Sequence, residues 1–267
     1  MSATTARRST VRFGADGAHE QGDAIAVEAP LTLVNDGEVL VTTMRTPGHD
    51  LELAAGWLVA ESDVQEHSDI TTLAALSASA DDTTDTVRIS LAPGVEGPRP
   101  RAFVTSSACG ICSADVIAGV RLSPAPLQTD GWGISVAHVD RLMTDLRRAQ
   151  RVFDRTGGLH AAGLVDPDGE LVVTREDVGR HNAVDKAIGW ALLNERMPLT
   201  DHLLLVSGRV SFEIVQKGLA AGIAGIAAVS APTSLAVDVA REHGLVLLGF
   251  ARDGRCNAYS GVERVRP

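Results

Sequence analysis

The chain has 267 residues, 45% hydrophobic and 22% charged, a globular balance that is neither disordered nor membranous. Its formal net charge of -10 repels nucleic acid and anionic membrane, so a phosphate ligand would need a local basic pocket. An aromatic content of 3% argues against the stacked-ring platforms of single-strand binders.

The longest soft apolar run, residues 218–231, is short for a membrane span and rich in Gly and Ala, so it predicts a buried helix and strand. The N-terminus has no continuous apolar stretch of the secretory kind. Three cysteines make no disulfide framework, and a reducing cytoplasm is the expected compartment. A usual size of roughly 100 to 200 residues per domain leaves one large domain or two small ones open.

In chain order, residues 1–20 mix Ser, Thr, Arg and Gly without hydrophobic period and read as a mobile tail with no assigned function. Two apolar runs, 30–34 and 39–44, flank Asn35-Asp36-Gly37 and predict a β-hairpin. Pro47 and Asp50 precede Leu51, Leu53, Ala54, Trp57 and Leu58, the apolar set of a short, mostly buried helix. Asp81-Asp82-Thr83-Thr84-Asp85 reads as a solvated loop, and Val87, Ile89 and Leu91 as one face of a strand. A Gly/Pro-rich break over 93–100 leads to a cysteine loop. A second break at Pro124, Pro126, Gly131 and Gly133 is the candidate boundary between an N-terminal α+β domain, 21–133, and a C-terminal domain, 134–267.

Beyond it, Val136, Val139, Leu142, Met143, Leu146 and Ala149 recur at helical spacing. Residues 159–165 and 170–174 flank Asp166-Pro167-Asp168-Gly169 as another hairpin, before a helix carrying Ala183, Val184, Ala187, Ile188, Ala191 and Leu192. The last third alternates strands (203–206, 226–229, 245–250) with helices (212–221, 235–242). That order predicts right-handed crossovers and a largely parallel sheet covered by helices, an α/β arrangement within an α+β whole.

The sharpest chemical feature is Cys109-Gly110-Ile111-Cys112, since two thiols across two residues can meet one electrophile or each other. A redox dithiol, half of a metal site, a sulfur-carrying nucleophile with a helper thiol, and a pair of buried small residues all fit the motif taken singly. A structural zinc site normally needs a second close pair of Cys or His, and none follows, so no metal is expected. Thr105-Ser106-Ser107-Ala108 supplies small polar residues suited to an exposed loop.

A second feature is the crowd of polar side chains from Arg175 to Lys186. Arg180, His181 and Lys186 at a helix start suggest an anion site, and the plainer reading is a surface helix capped by Asn182 with Asp185 in its first turn. Third, Ser207-Gly208-Arg209 joins a strand to a helix, and Phe250-Ala251-Arg252-Asp253-Gly254-Arg255 follows the end of the last predicted strand. Ligands of open parallel sheets sit beyond the carboxyl ends of strands, so both loops are expected to face one crevice. There Arg209, Arg252 and Arg255 offer forked donors to phosphate.

Together these residues resemble the FdhD family of sulfur-carrier proteins, required for active formate dehydrogenase. The resemblance runs over nearly the whole chain. It takes in Arg45-Thr46-Pro47-Gly48 with Glu52 and Gly56, the Cys109–Cys112 motif, Thr156-Gly157-Gly158-Leu159-His160 and the Glu176 to Lys186 segment. It continues through Ser207-Gly208-Arg209, Lys217, Ala231-Pro232-Thr233-Ser234 and Gly249-Phe250-Ala251-Arg252. It implies that a cysteine desulfurase loads a persulfide on the loop, and that this sulfurates a molybdenum bis(molybdopterin guanine dinucleotide) cofactor destined for formate dehydrogenase. It also implies a homodimer and a C-terminal mixed sheet of cytidine-deaminase-like fold.

By position in the motif, the resemblance implies that Cys109 carries the persulfide with Cys112 assisting it, and that residues 250–255 contact the dinucleotide. Ser207, Gly208, Arg209, Lys217, Arg180 and His181 complete the expected cofactor site. The deaminase zinc signature is absent, so the fold likeness brings no deaminase chemistry. One departure stands out: the family commonly has Gly after the second cysteine, and this chain has Ser113.

Overall fold

The computed structural model describes residues 3–78, 84–98 and 131–267. The N-terminal half is built on β3 (Ala29–Asn35), β4 (Glu38–Arg45), β5 (Ile70–Leu76) and β6 (Asp85–Leu91), a sheet in the order β4-β3-β6-β5. The β3–β4 turn falls on Asp36 and Gly37, both at positive φ (46° and 89°), which an Asp-Gly pair adopts at little cost. Strand alternation sends Leu31, Leu33, Val87 and Ile89 inward, all fully buried. Helix α1 (Asp50–Glu61) belongs to the same core, which holds Leu53, Ala54, Ala55, Trp57, Leu58 and Val59.

The C-terminal half centres on β8 (His160–Val165), β9 (Leu171–Asp177), β10 (Leu203–Val206), β11 (Gly225–Ala228), β12 (Val246–Arg252) and β13 (Arg255–Ser260). Their order is β13-β12-β11-β10-β8-β9. Only β10, β11 and β12 run parallel; the neighbours on both sides are antiparallel, so the sheet is mixed rather than largely parallel. The two-residue alternation splits its side chains between two cores. Leu204, Val206, Ile226, Ala228 and Leu247 pack with helices α4 (Arg180–Leu193), α5 (Phe212–Ala220) and α6 (Ser234–Glu242). Leu203, Leu205, Ala227, Val246 and Leu248 pack with α2 (Val136–Ala149) on the other side. Truncating one of these leucines to Ala would cost about 2–5 kcal/mol. The short α3 (Arg151–Thr156) follows α2, and β7 (Ile134–Ser135) pairs with the chain's last strand, β14 (Val265–Arg266).

The two halves share one core rather than merely touching. Leu31, Leu33, Val87 and Ile89 belong to the same buried cluster as Leu204 and Ile226, and α1 lies directly on α4. Gly56 and Gly189 make that crossing close: a Cβ on Gly56 would collide with the Asp185 carbonyl, and one on Gly189 with the Glu52 carbonyl. Across the same seam, Arg175 Nη2 donates to Glu52 Oε1 at 2.7 Å while its Nε donates to the other carboxylate oxygen.

Three local expectations change. Residues expected to form an aperiodic tail pair as a hairpin, β1 (Thr5–Gly14) with β2 (Gly17–Ala26). Residues 11–23 are exposed, so neither face needs the apolar alternation by which strands are recognised. The last expected strand is followed by another, β13, reached through Asp253 and Gly254 at positive φ. Helix α4 starts at Arg180 with Gly179 as its N-cap, and Asn182, the expected cap, is buried inside the helix with Nδ2 donating to Met44 O at 2.8 Å.

Candidate functional site

Strands β10, β11 and β12 end together beside a cleft of about 670 Å³. Ser207, Val229 and Ala251 bring the strand ends to it, Met143 and Arg147 of α2 and Phe153 of α3 line another part, and His160 opens β8 at its edge. Ser207 holds that edge: its N–H donates to Ala161 O at 2.9 Å, and its Oγ accepts from Ala161 N at 2.8 Å. Gly208 leaves room for the imidazole, since a Cβ there would lie 3.2 Å from His160 Nδ1 and 4.0 Å from Arg180 Cδ.

Cations gather around this edge. Burial, then the charges of Arg180 and His181 and, more weakly, Arg209, lower the His160 pKa, with Asp177 partly opposing them; the imidazole is therefore neutral at pH 7. Arg180 opens α4, and its Nε is buried with no hydrogen-bond partner among the described residues. His181 Nε2 lies 2.9 Å from Ser211 Oγ and 3.0 Å from Glu213 Oε2, which ties the start of α4 to the start of α5. The N-terminus of α4, with Arg180 and His181, and the exposed Arg209 in the loop before α5 form an environment suited to an anion.

The β12–β13 hairpin lines the same cleft with Ala251, Arg252 and Asp253. Phe250 has φ of 52° where the register between Gly249 and Arg252 is irregular, and its N–H donates to Ser230 O at 3.2 Å. Gly249 permits this, because a Cβ there would meet the Tyr259 ring at 2.9 Å and Pro232 at 3.0 Å. Ala251 is buried, while Arg252, Asp253, Gly254 and Arg255 are exposed; Arg252 and Asp253 line the cleft, and Arg255 sits opposite Arg252 in the strand pair. Ser207 of one expected loop and Ala251, Arg252 and Asp253 of the other thus line the same cleft, while Arg209 and Arg255 are not among its lining residues.

Two lysines do not join them. Lys217 is buried with Nζ 2.7 Å from Asp185 Oδ1, and Lys186 is buried with Nζ 2.6 Å from Asp177 Oδ2. Both helices are covered by protein on the faces that carry these residues, so each ammonium is matched by an internal carboxylate instead of a ligand. Burial keeps the Asp185 carboxyl above its usual range even with Lys217 beside it. Cys109 and Cys112 lie outside the described residues, as does Ser113. Among the described residues no group of His, Cys, Asp and Glu could hold a metal ion, and no helix is long and apolar enough to cross a membrane.

Sequence reasoning missed Asp140, Arg147, Phe153 and His160 as cleft residues. The first two look like the solvated face of an amphipathic helix, which is how such a face reads until another element closes over it. The Gly157-Gly158 pair before His160 was the available signal, since Gly157, at φ of 64°, ends α3 and turns the chain into the cleft's rim.

The architecture defines an α+β protein with an anion-suited cleft at the carboxyl ends of its parallel strands. The FdhD/NarQ family profile matches residues 26–266, and the chain belongs to that family. A relative from Streptomyces coelicolor named "Sulfur carrier protein FdhD" is 45% identical over 279 residues, covering 99% of this chain and 97% of its own. A protein of the same name from Mycobacterium tuberculosis is 42% identical, covering 99% of this chain and 100% of its own. The fold is similar to the crystal structure of a candidate formate dehydrogenase accessory protein from Desulfotalea psychrophila, with a TM-score of 0.80 at 23% identity over 99% of this chain and 100% of that one.

Proposed function

We propose that this protein is a sulfur carrier that takes sulfur from a cysteine desulfurase and passes it to a molybdenum bis(molybdopterin guanine dinucleotide) cofactor, its bound substrate, on the way to formate dehydrogenase. The observation that carries the reading is full-length membership of a family whose similar members are named sulfur carriers, in a chain that keeps Cys109-Gly110-Ile111-Cys112. The cleft supports it with cations at one end and apolar walls, the mixture a charged dinucleotide needs.

In the loading step the Cys109 thiolate attacks the outer sulfur of the donor's persulfide; the donor's S–S bond breaks, its cysteine leaves as thiolate, and Cys109 keeps the transferred sulfur. In the delivery step the Cys112 thiolate attacks the Cys109 sulfur, a Cys109–Cys112 disulfide forms, and hydrosulfide is released to the metal. A dithiol reductant must then reopen the disulfide. Arg209, Arg252 and Arg255 neutralise the dinucleotide phosphates, helped by Arg180 and His181. The reading includes a cytoplasmic site of action, where thiols stay reduced, and a homodimer.

Complementation tests it. In cells whose own carrier gene is deleted, Cys109→Ala restores no formate dehydrogenase activity while the wild type does. A purely cofactor-holding chaperone would complement equally well with either.

A further inference from the structure

The β1–β2 ribbon serves neither the core nor the walls of the cleft. Its strands pair along their whole length, from Thr5 opposite Ala26 to Gly14 opposite Gly17, which makes a ribbon about 30 Å long at the usual rise per residue. Residues 11–23 are exposed, with Phe13 80% and Val11 46% accessible. A lone two-stranded hairpin is marginal in water, and its free edges and apolar side chains are templates for another surface.

Directly opposite residues of an antiparallel pair share a face. Phe13 with Ala18, Val11 with Glu20 and Arg7 with Ala24 make one face, where Gly22 leaves room for the Arg7 guanidinium: a Cβ there would lie 2.7 Å from its Nε. Arg8 and Arg12 stand on the other face, opposite Asp23 and His19. Strand β1 thus carries three arginines and no acid in a chain of net charge -10, and only Arg8 has a carboxylate directly across the ladder. The base of the ribbon stands beside the cleft. Strand β2 packs on α3, and a Cβ on Gly158 would lie 3.6 Å from Ala26 Cβ. Phe153, Gly157 and Gly158 line the cleft, so a partner seated along the ribbon stands at the cleft's rim.

We propose that the ribbon is a docking arm for the enzyme that receives the cofactor, and that it seats on an acidic surface bordering an apolar strip of that protein. Val11 and Phe13 cover the strip, while Arg7, Arg8 and Arg12 meet its carboxylates and steer the encounter. The inference rests on the reading of the chain as a carrier that hands its cargo to a dehydrogenase. Charge limits the occupant to an acidic surface, and position chooses among acidic proteins. The cofactor leaves through the cleft, so its recipient must stand at the rim; a sulfur donor needs only the cysteine loop, and a second copy of this chain needs neither. Nucleic acid matches the arginines but is repelled by the acidic remainder of the chain.

The test places the photoreactive residue p-benzoylphenylalanine at position 13 of the full chain. The labelled protein is mixed in turn with apo-formate dehydrogenase from cells lacking the carrier gene, with the cysteine desulfurase, and with a tagged second copy. Irradiation is expected to join position 13 to the dehydrogenase. The same label at Val262, 62% exposed at the other end of the sheet, is expected to join nothing. In isothermal titration, Arg8→Ala with Arg12→Ala should weaken binding to the apoenzyme by at least about tenfold at low salt and flatten its salt dependence. Arg8→Lys with Arg12→Lys should keep most of the affinity, which separates lost charge from a disturbed strand. Both double variants should gain sulfur from the desulfurase as the wild type does. Labelling of the desulfurase or the second copy alone, or of nothing, overturns the arm. So does apoenzyme binding that the alanine pair leaves unchanged or that the lysine pair loses equally; sulfur loading by the wild type leaves the carrier reading standing in each of these cases. A wild type that neither binds the apoenzyme nor gains sulfur overturns both.

Discussion

Asp177 and Lys186 meet at 2.6 Å in the interior, each almost fully buried, and every polar atom of the carboxylate is engaged. Oδ1 accepts from Gly179 N and Asn182 Nδ2, and Oδ2 accepts from Thr46 N as well as from the ammonium. Lys186 also donates to Thr46 O at 2.8 Å. One residue thus ties down the start of α4, holds the Thr46 loop of the N-terminal half and balances a buried charge. Asp177→Ala should destabilise the protein by about 3–5 kcal/mol, because it leaves the ammonium unpaired. The midpoint of urea unfolding, followed by circular dichroism, measures this; a shift under about 1 kcal/mol would mean that water or another carboxylate reaches Lys186.

The Gly56–Gly189 crossing gives a second expectation. A methyl group at either position runs into backbone of the opposite helix, which no side-chain rotation relieves. Gly189→Ala should cost at least about 1–3 kcal/mol as overpacking, despite alanine's better helix propensity. Unfolding midpoints of the two single variants check it, and a stabilised Gly189→Ala would show that α1 and α4 can separate freely.

What the sequence revealed and what it hid follow a physical division. The β3–β4 hairpin was legible because Asp36-Gly37 adopts positive φ at little cost, and α2 because one face meets the core and the other meets water. Helix α1 was only partly legible: residues 53–60 are all buried, so no period marks its ends. Arg45, fully buried between Asp50 and Asp85, gave no hint of its interior position, since burial of a charge depends on partners 5 and 40 residues away. For the same reason Lys217 looked like a ligand-binding cation until Asp185 was seen beside it. At the site, loops anchored to strand ends were readable and the opposite helical wall was not.

The Glu52–Arg175 pair makes stability depend on acid pH. Burial raises the Glu52 pKa, but hydrogen bonds from Arg175 and then His49 outweigh it and hold the carboxyl below 4.5. A carboxylate depressed on folding contributes stability above its unfolded pKa and loses it as pH falls through the folded value. Thermal unfolding of the wild type should therefore lose part of its stability below about pH 4.5. Glu52→Gln should be less stable than wild type at pH 7 and show a shallower loss in acid; parallel curves for the two would remove Glu52 from the acid response.

His160 provides a pH signature of ligand binding. Its pKa lies below the ordinary 6.5 through burial and the Arg180 and His181 charges, so the unfolded chain takes up a proton before the folded one as pH falls. The resulting loss of stability begins near pH 6.5 and continues down to the folded value. A phosphate that neutralises the neighbouring cations should raise the His160 pKa, so GDP binding takes up protons and strengthens towards acid pH. Titration in buffers of different ionisation enthalpy reads the uptake, and His160→Gln should abolish it. Proton-neutral binding by the wild type at pH 6 would place the phosphates away from His160.

The central claim is tested most directly by intact-mass measurement after incubation with a cysteine desulfurase and free cysteine. The wild type should gain the mass of one sulfur atom, removable by a dithiol, and Cys109→Ala should gain none. A Cys109→Ala protein that acquires the same sulfur and delivers it to the cofactor would contradict the assignment.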